Sequence, residues 1–313
     1  MLWMLSGALA LVLSATVLWL VGERGHIALP STRAAFRERQ RHAGGRGHVL
    51  TALHGYVYGR WPFQYIKWAM RVVPALPGRA KQWWADRYHG KVLPTELARA
   101  IIRLDHDICR TDLERIVPYP LARDIVLTAS PDVVLLECPC RHARPQPCQP
   151  TQVCMVVGGG AFTLEHHPGR SHRVTQDEAL ALLEAEHERG HVHTAYFKDA
   201  CGDRFYAICN CCKCCCGGLE AMTRRGIPMV ASSGYVAEVE EALCIGCGDC
   251  ATACPFEAVT VPYRAMVTWE KCMGCGVCES QCATEAIRLV LDERKGLPLD
   301  VRTLGAPAEA ALA

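Results

Sequence analysis

The sequence lacks the motifs of the common organic redox cofactors. No flavin, nicotinamide or haem motif is evident, and the glycine run Gly158–Gly160 does not have the spacing of a dinucleotide-binding loop. A tight turn explains that run better than phosphate binding does. We therefore expect any coupling to such cofactors to come through redox partner proteins, and the sequence identifies no small-molecule substrate.

Residues 1–22 lack charged side chains altogether. About 20 apolar residues at 1.5 Å each can cross a hydrocarbon core of roughly 30 Å. No basic stretch precedes this segment and no convincing small-x-small cleavage site follows it, which counts against a cleaved signal peptide. The segment predicts a retained transmembrane anchor over residues 1–22, with a cleaved signal or a buried core helix as the alternatives.

Basic residues are concentrated directly after that segment. Residues 23–110 contain 16 Lys or Arg against 6 Asp or Glu, although the net charge of the chain is only +2. A basic region beside an apolar start suggests a membrane surface before it suggests nucleic acid, and we predict no nucleic-acid partner. The positive-inside rule then predicts a single-pass protein of the inner (cytoplasmic) membrane with its globular part in the cytoplasm. The arginines that carry this inference are Arg24, Arg33, Arg37, Arg39, Arg41 and Arg46.

Residues 23–125 are predicted to form a basic, largely helical, membrane-proximal region. Within residues 49–77, tyrosines and tryptophans alternate with Arg and Lys. Such a mixture suits either a membrane interface or a helix that packs its aromatic side chains into a domain core. Both readings stay open from the sequence.

Cysteine is what the sequence has in excess. There are 20 cysteines among 313 residues, and a chain of this length is too long to be a small disulfide-stapled domain. Clustering in C-x2-C and C-C runs is typical of metal sites, because soft thiolates select iron–sulfur clusters, zinc or cuprous copper. Free thiolates and clusters also fit a reducing compartment, in agreement with a cytoplasmic location.

Residues 126–230 are predicted to form a cysteine-rich domain of mixed α and β structure. A Val/Leu-rich strand over Ser130–Leu136 leads into the first cysteines, and a capping box at Thr175–Glu178 begins a helix that ends at Gly190. Six cysteines occupy the eight positions of Cys209–Cys216, a density that no purely structural role requires.

Ten cysteines of this domain are candidate further metal ligands. An additional iron–sulfur cluster is the favoured interpretation, and zinc or a redox-active dithiol are the alternatives, since four thiolates satisfy one cubane or one tetrahedral zinc ion. The spacing does not reveal how the ligands are divided. The candidates are Cys138, Cys140, Cys148, Cys154, Cys209, Cys211, Cys212, Cys214, Cys215 and Cys216.

The strongest motif is a repeated C-x2-C-x2-C-x3-C run near the C-terminus. Its first copy is Cys244, Cys247, Cys250 and Cys254, and its second copy, 28 residues later, is Cys272, Cys275, Cys278 and Cys282. Three such cysteines bind three irons of one cubane, and the fourth binds the other cluster. We therefore predict two [4Fe-4S] clusters with crossed ligands, in which Cys282 completes the first set and Cys254 the second.

These residues resemble the bacterial-type two-[4Fe-4S] ferredoxin family over about the last fifth of the chain. The resemblance implies a ferredoxin-like fold over residues 231–292 and a role as an electron carrier or as a wire within a larger oxidoreductase. One departure is Ala283, which stands where a proline would mirror Pro255. The upstream cysteines also resemble those of an uncharacterised group of membrane-anchored bacterial 4Fe-4S proteins with a cysteine-rich domain before such a module.

Taken together, these features predict an α+β protein with an N-terminal transmembrane helix, the mixed α/β cysteine-rich domain, the dicluster module and a flexible tail over residues 293–313. The leading functional hypothesis is a membrane-anchored electron-transfer protein rather than a stand-alone enzyme. A substrate-reducing oxidoreductase is the main alternative, with His191, His193, Arg141 and Glu137 as candidate acid–base groups. A redox or metal sensor, or an assembly factor, is the third class considered.

Overall fold

The structure, a computed structural model, describes residues 2–42 and 48–305, with side chains described within 14–37 and 50–305. Arg46 and the end of the predicted tail lie outside the described residues. The architecture is mixed α/β. Its N-terminal part consists of the helices α1 (Leu2–Ile27), α2 (Pro30–His42), α3 (His48–Arg60), α4 (Pro62–Val72) and α5 (Gly78–Ala85).

The prediction of a transmembrane anchor over residues 1–22 is wrong. Within the described part of the chain, no helix is long and apolar enough to cross a membrane. Helix α1 continues to Ile27, and its end packs on α3, where the Tyr56 hydroxyl donates to Glu23 Oε2 at 2.6 Å and the Trp19 and Tyr56 rings meet edge to face. The predicted fold class with a membrane-spanning helix and the predicted inner-membrane location depended on this anchor and are wrong with it.

The central unit is a seven-stranded sheet in the order β6-β4-β5-β8-β7-β1-β9. All neighbours are antiparallel except β1 and β9, which are parallel. A separate antiparallel pair is formed by β2 and β3. The strands are β1 (Tyr88–Leu93), β2 (Ile108–Arg110), β3 (Ile125–Leu127), β4 (Val133–Glu137), β5 (Gln152–Val157), β6 (Ser171–Val174), β7 (Val192–Lys198), β8 (Arg204–Cys211) and β9 (Val230–Ala231).

Five helices connect these strands: α6 (Thr95–Ile102), α7 (Pro139–His142), α8 (Gly160–His166), α9 (Gln176–Glu188) and α10 (Gly217–Arg225). The predicted capping box is confirmed, since Thr175 caps α9 by accepting from the Glu178 amide while the Glu178 side chain accepts from the Thr175 amide. Helices α6 and α9 pack against each other and against β7. Every residue of β7 is buried, as expected for a strand near the middle of a covered sheet.

The C-terminal module has four short strands and two short helices. The strands β10 (Tyr235–Val239) and β13 (Ile287–Leu291) pair antiparallel, as do β11 (Val259–Thr260) and β12 (Met266–Val267). The alternation of apolar and polar residues predicts short strands at 235–239, 259–261, 266–269 and 287–290, and the structure has a strand at each of these places. Helices α11 (Asp249–Ala253) and α12 (Val277–Ser280) each follow a cysteine-bearing loop.

The module is seated on the sheet domain through one continuous apolar core, which runs from β7 to the interior of the module. Polar contacts add to it. The Gln281 side-chain amide donates to the Glu188 carbonyl at 3.2 Å, and the Lys213 ammonium donates to the Thr252 carbonyl at 3.4 Å. Beyond β13 the chain still packs, because Leu299 is fully buried within the region predicted as a flexible tail.

Candidate metal centres

Two loops of the C-terminal module deliver the repeated cysteines. Each loop ends at a glycine whose backbone is in the left-handed region. Gly248 (φ +91°) precedes α11, and Gly276 (φ +84°) precedes α12. Glycine adopts positive φ without the steric cost that a side chain would bring. The repeated glycines of the sequence therefore serve the same backbone turn in both halves.

The first set of cysteines comes from both copies of the repeat. Cys244, Cys247 and Cys250 line one small cavity, and Cys282 from the second copy forms part of the same wall. The fourth cysteine of the second copy therefore lies beside the first three of the first copy, as the predicted crossed ligand sets require.

The second set is arranged in the same way. Burial, with a contribution from the neighbouring Cys254 and Cys272 thiols, raises the pKa of the Cys278 thiol to about 12. Burial also raises the pKa of Cys275, again with a contribution from Cys254. Cys254 therefore lies with the cysteines of the second copy and not only with its own run.

Backbone amides are aimed at the sulfurs of both sets. The Ala265 amide donates to Cys244 Sγ at 3.3 Å, and the Ala237 amide, 28 residues earlier, donates to Cys272 Sγ at 3.4 Å. The fourth cysteine of each run also accepts from an amide, since Ala258 donates to Cys254 Sγ and Ala286 to Cys282 Sγ, both at 3.3 Å.

Amide donors favour a negatively charged sulfur, and hydrogen bonds to cluster sulfurs tune iron–sulfur centres. Four thiols from two chain segments, together with these amides, fit the ligand requirements of a [4Fe-4S] cluster in each half of the module. The residues that would hold it are Cys244, Cys247, Cys250 and Cys282 in one half and Cys254, Cys272, Cys275 and Cys278 in the other.

The two sets differ in exposure. Cys247 of the first set is exposed, and two apolar side chains beside it, Ile245 and Tyr263, are 71% and 91% exposed. Cys272 and Cys278 of the second set are buried on the side facing the sheet domain. The first set is therefore the one that faces solvent.

A second group of cysteines lies inside the sheet domain, on the wall of a cavity of about 350 Å³ between the sheet and helices α3, α4 and α10. We call these six residues the inner thiols. They come from α7 and the residue that precedes it, from β5, from β8 and from the residue that precedes α10: Cys138, Cys140, Cys154, Cys209, Cys211 and Cys216.

The inner thiols are close enough to bond to one another. Cys138 accepts hydrogen bonds from the Cys140 and Cys154 thiols, which holds the pKa of Cys138 well below its usual range despite burial. Cys216 accepts from Cys140 and Cys211, with the same effect on its pKa. Hydrogen bonding to these acceptors and burial raise the pKa of Cys140 well above its usual value. The inner thiols therefore form one connected set of sulfurs.

Tyrosines form much of the opposite wall of this cavity. The hydroxyls of Tyr58 and Tyr206 lie 2.6 Å apart, and Tyr58 donates to Tyr88 at 3.5 Å. Burial raises the pKa of each of these three phenols well above 10. The wall is therefore neutral and largely apolar, with a few hydroxyls that can orient a bound group.

Arg141 supplies a buried positive charge next to the inner thiols. Its guanidinium is 1% exposed and donates to Glu186 Oε2 at 3.0 Å and to the Asn210 carbonyl at 3.2 Å. It also bonds to the Pro150 carbonyl. A fixed cation inside a protein favours neighbouring thiolates.

Of the four candidate acid–base residues, Arg141 lines the cavity and the other three lie elsewhere. His191 Nδ1 lies 2.7 Å from Glu186 Oε2, and His193 Nδ1 lies 2.6 Å from Asn210 Oδ1. Glu137 pairs with His142 at 2.9 Å. His191 and His193 support the buried polar network around Arg141, whereas Glu137 forms a half-buried ion pair outside it.

A third group of cysteines lies where the loop before β5, which carries Cys148, meets the turn between β8 and α10, and one member, Cys212, also lines the cavity. The sulfurs of Cys148, Cys212 and Cys214 all lie within 4.8 Å of one another, and Cys215 Sγ lies 3.5 Å from Cys214 Sγ. We call these four residues the outer thiols. Alternation along β8 explains the division, because Cys209 and Cys211 share one face of the strand whereas the later cysteines follow its end.

Two cysteines belong to none of these groups. Cys201 also lies on the cavity wall but was not among the candidate ligands, and Cys109 is exposed on β2. The spacing of the ten middle cysteines in the sequence does not distinguish the six inner thiols from the four outer ones.

Comparison with known proteins gives one match. A family model described as a 4Fe-4S binding domain matches residues 236–259, which include all four cysteines of the first copy of the repeat. No curated protein and no solved structure matches the chain significantly. The chain carries a 4Fe-4S binding domain and is an iron–sulfur protein.

Proposed function

We propose that this chain is an electron-transfer protein that passes single electrons through two [4Fe-4S] clusters, as a subunit or partner of a larger oxidoreductase. The observation that carries the proposal is the meeting of Cys282 with Cys244, Cys247 and Cys250 around one cavity. Such an exchange of the fourth ligand is the arrangement of two-cluster ferredoxins. When bound, each cluster supplies a site that gains or loses one electron.

The residues of the module would tune and insulate these centres. Amide donors at Ala237 and Ala265 stabilise negative charge on the sulfurs, which favours the reduced state and raises the reduction potential. Burial of Cys272 and Cys278 excludes water from the second set and acts in the opposite direction. The two centres are therefore expected to differ in potential.

The difference in exposure suggests a direction for partner contact. A redox partner protein would approach the first set, where Cys247, Ile245 and Tyr263 are exposed. The second set would exchange electrons with the sheet domain, because helix α12, which carries Cys278, packs against α9.

The test is anaerobic purification followed by iron and acid-labile sulfide counts and a reductive titration. About eight irons and about two one-electron equivalents per chain would support a carrier whose clusters are confined to the module. About twelve irons or more would place a further cluster among the inner thiols while keeping the carrier role. Fewer than about eight irons in fully loaded protein, or iron that does not change oxidation state, would contradict the proposal.

A second candidate function is reduction of a small substrate within the sheet domain. The cavity of about 350 Å³ beside the inner thiols favours it, because ligand sites are concave, mostly apolar and carry a few polar groups. A cluster held by some of the inner thiols and left with an open iron would bind cyanide, and its spectrum would change. That change should vanish in a Cys211→Ala, Cys216→Ala double variant and persist in Cys109→Ala. Absence of any cyanide effect on iron-replete protein would remove this candidate.

A further inference from the structure

We infer that the outer thiols, Cys148, Cys212, Cys214 and Cys215, form a site for a single zinc ion that is separate from every iron–sulfur centre of the chain. The site goes beyond the proposed electron-transfer function and uses none of the eight module cysteines. It divides the ten middle cysteines into two classes, six inner thiols and four outer thiols with a different ligand.

Sulfur spacing identifies the kind of ligand. A tetrahedral zinc ion with Zn–S bonds of about 2.3 Å requires sulfurs about 3.8 Å apart. The sulfurs of Cys148, Cys212 and Cys214 all lie within 4.8 Å of one another, so small movements would bring them to the spacing that one zinc ion requires. The thiolates of a cubane each bind a different iron and stand further apart. Among the described residues, no three module cysteines are as close together as these three.

Cys215, in the same turn, is the proposed fourth ligand; its sulfur lies more than 4.8 Å from at least one of the other three sulfurs and would move toward the ion on binding. Cys215 Sγ lies 3.5 Å from Cys214 Sγ and accepts a hydrogen bond from the Cys148 amide at 3.4 Å. Neighbouring cysteines cannot both face one ion within a helix or a strand, but residues 212–216 form neither, since β8 ends at Cys211 and α10 begins at Gly217. The irregular turn allows Cys214 and Cys215 to face the same point.

The surroundings carry the countercharge that such a site needs. Four thiolates on one divalent ion leave a net charge of −2, which nearby cations stabilise. The Arg144 guanidinium donates to the Cys215 carbonyl at 3.2 Å, and Lys213 lies within the turn itself.

An ion at this point would fix a turn that serves both other groups of cysteines. The turn leads directly into Cys216, one of the inner thiols. Its Lys213 ammonium donates to the Thr252 carbonyl at 3.4 Å, between Cys250 and Cys254 of the module. Zinc does not change oxidation state, so the site would hold this junction without taking up electrons.

The experiment is metal analysis of the full chain, produced with both iron and zinc supplied and purified anaerobically, together with zinc X-ray absorption. We expect about one zinc per chain with four sulfur neighbours at about 2.3 Å. Cys148→Ala and Cys214→Ala should each lose the zinc and keep the iron of the module, while Cys109→Ala, the matched exposed cysteine, should keep both metals.

Several outcomes would overturn the inference. They are zinc-free protein, a zinc ion with mainly nitrogen or oxygen neighbours, and a Cys148→Ala variant that loses about four irons while its zinc stays. Because X-ray absorption is read on the unaltered chain, the result does not depend on the folding of a variant. Failure here would leave the electron-transfer proposal untouched, since that proposal is read from iron and electron counts.

Discussion

The C-terminal module and the sheet domain both gather cysteines from distant parts of the chain, but they do so in different ways. In the module, two copies of one short motif face each other, and amides donate to four of the sulfurs. In the sheet domain, the inner thiols come from β5, from β8 and from the N-terminal ends of α7 and α10, and they form hydrogen bonds with one another. The module is arranged for separated ligands of two clusters, whereas the inner thiols form one connected set.

The comparison teaches where local sequence is sufficient. A repeat carries its own ligand assignment, because the two halves must obey the same geometry. A set assembled by sheet pairing has no such internal rule. Cys154 meets Cys209 only because β5 and β8 are neighbours, which the sequence between them does not reveal.

The largest effect is expected at a glycine of the module. At Gly274, with φ +61°, an added Cβ would lie 2.2 Å from the Tyr235 carbonyl oxygen and 2.4 Å from Ser233 Oγ. Gly274→Ala should destabilise the protein by about 4 kcal/mol or more and deplete the second cluster site. Gly226→Ala in the sheet domain is the matched control, since Gly226 has the same φ of +61° and nothing within 4 Å of the added atom.

The control should cost only about 1 kcal/mol, from backbone strain alone. Thermal unfolding and iron content would be measured for both variants. Equal losses in the two would show that the close approach of the cysteine loop to Tyr235 has no special importance, and would break the contrast between the regions.

A slightly smaller effect is expected in the polar network beside the inner thiols. Arg141→Ala removes the buried arginine at 3.0 Å from the fully buried Glu186 carboxylate, which keeps His191 and the half-exposed Arg189 as partners. Removing one member of a buried ion pair costs about 3–5 kcal/mol. Urea unfolding should show this loss, with Arg173→Ala as the control because Arg173 forms its ion pair with Asp132 at the surface. A loss below about 1 kcal/mol at Arg141 would mean that the network is not what holds the inner thiols in place.

The smallest effect concerns a lysine of the sheet domain that lies away from the thiols. Lys91 on β1 is 1% exposed, and burial lowers its pKa to about 7. The unfolded chain keeps the proton up to about pH 10.4, so stability should rise as pH increases above 7 and should be lowest below pH 7, where the buried ammonium is charged.

Lys91→Met should therefore stabilise the protein by about 1–3 kcal/mol at pH 6 and by less at pH 9. The same substitution at the exposed Lys271 serves as the control. Unfolding midpoints at the two pH values give the answer. A gain that is independent of pH would assign the effect to side-chain packing instead of charge burial.

Much of the module could be predicted from the sequence, and less of the sheet domain. The four strands of the module and the capping box at Thr175 followed from local patterns, which act over a few residues. The anchor prediction failed because an apolar segment has the same composition whether it crosses a membrane or packs a helix end on its neighbours. What distinguishes the two cases here is the contact of Trp19 and Glu23 with Tyr56, which lies on another helix and cannot be located from the segment itself.

The division of the middle cysteines could not be foreseen for a related reason. The pairing of strands brings Cys154 beside Cys209, and the end of β8 separates Cys211 from Cys212. Both facts depend on contacts between segments far apart in sequence. The one local signal is the alternation of side chains along β8, which predicts that Cys209 and Cys211 share a face but says nothing of the other eight cysteines.

The central claim, that two four-iron clusters are held by crossed ligands, is tested most directly by counting intact clusters in two double variants by Mössbauer spectroscopy. Cys244→Ala, Cys282→Ala removes two ligands of the same cluster and should lose about four irons while one four-iron cluster stays intact. Cys244→Ala, Cys254→Ala removes one ligand from each cluster and should leave neither intact. The reverse pattern, with one intact cluster in the second variant and none in the first, would contradict the account.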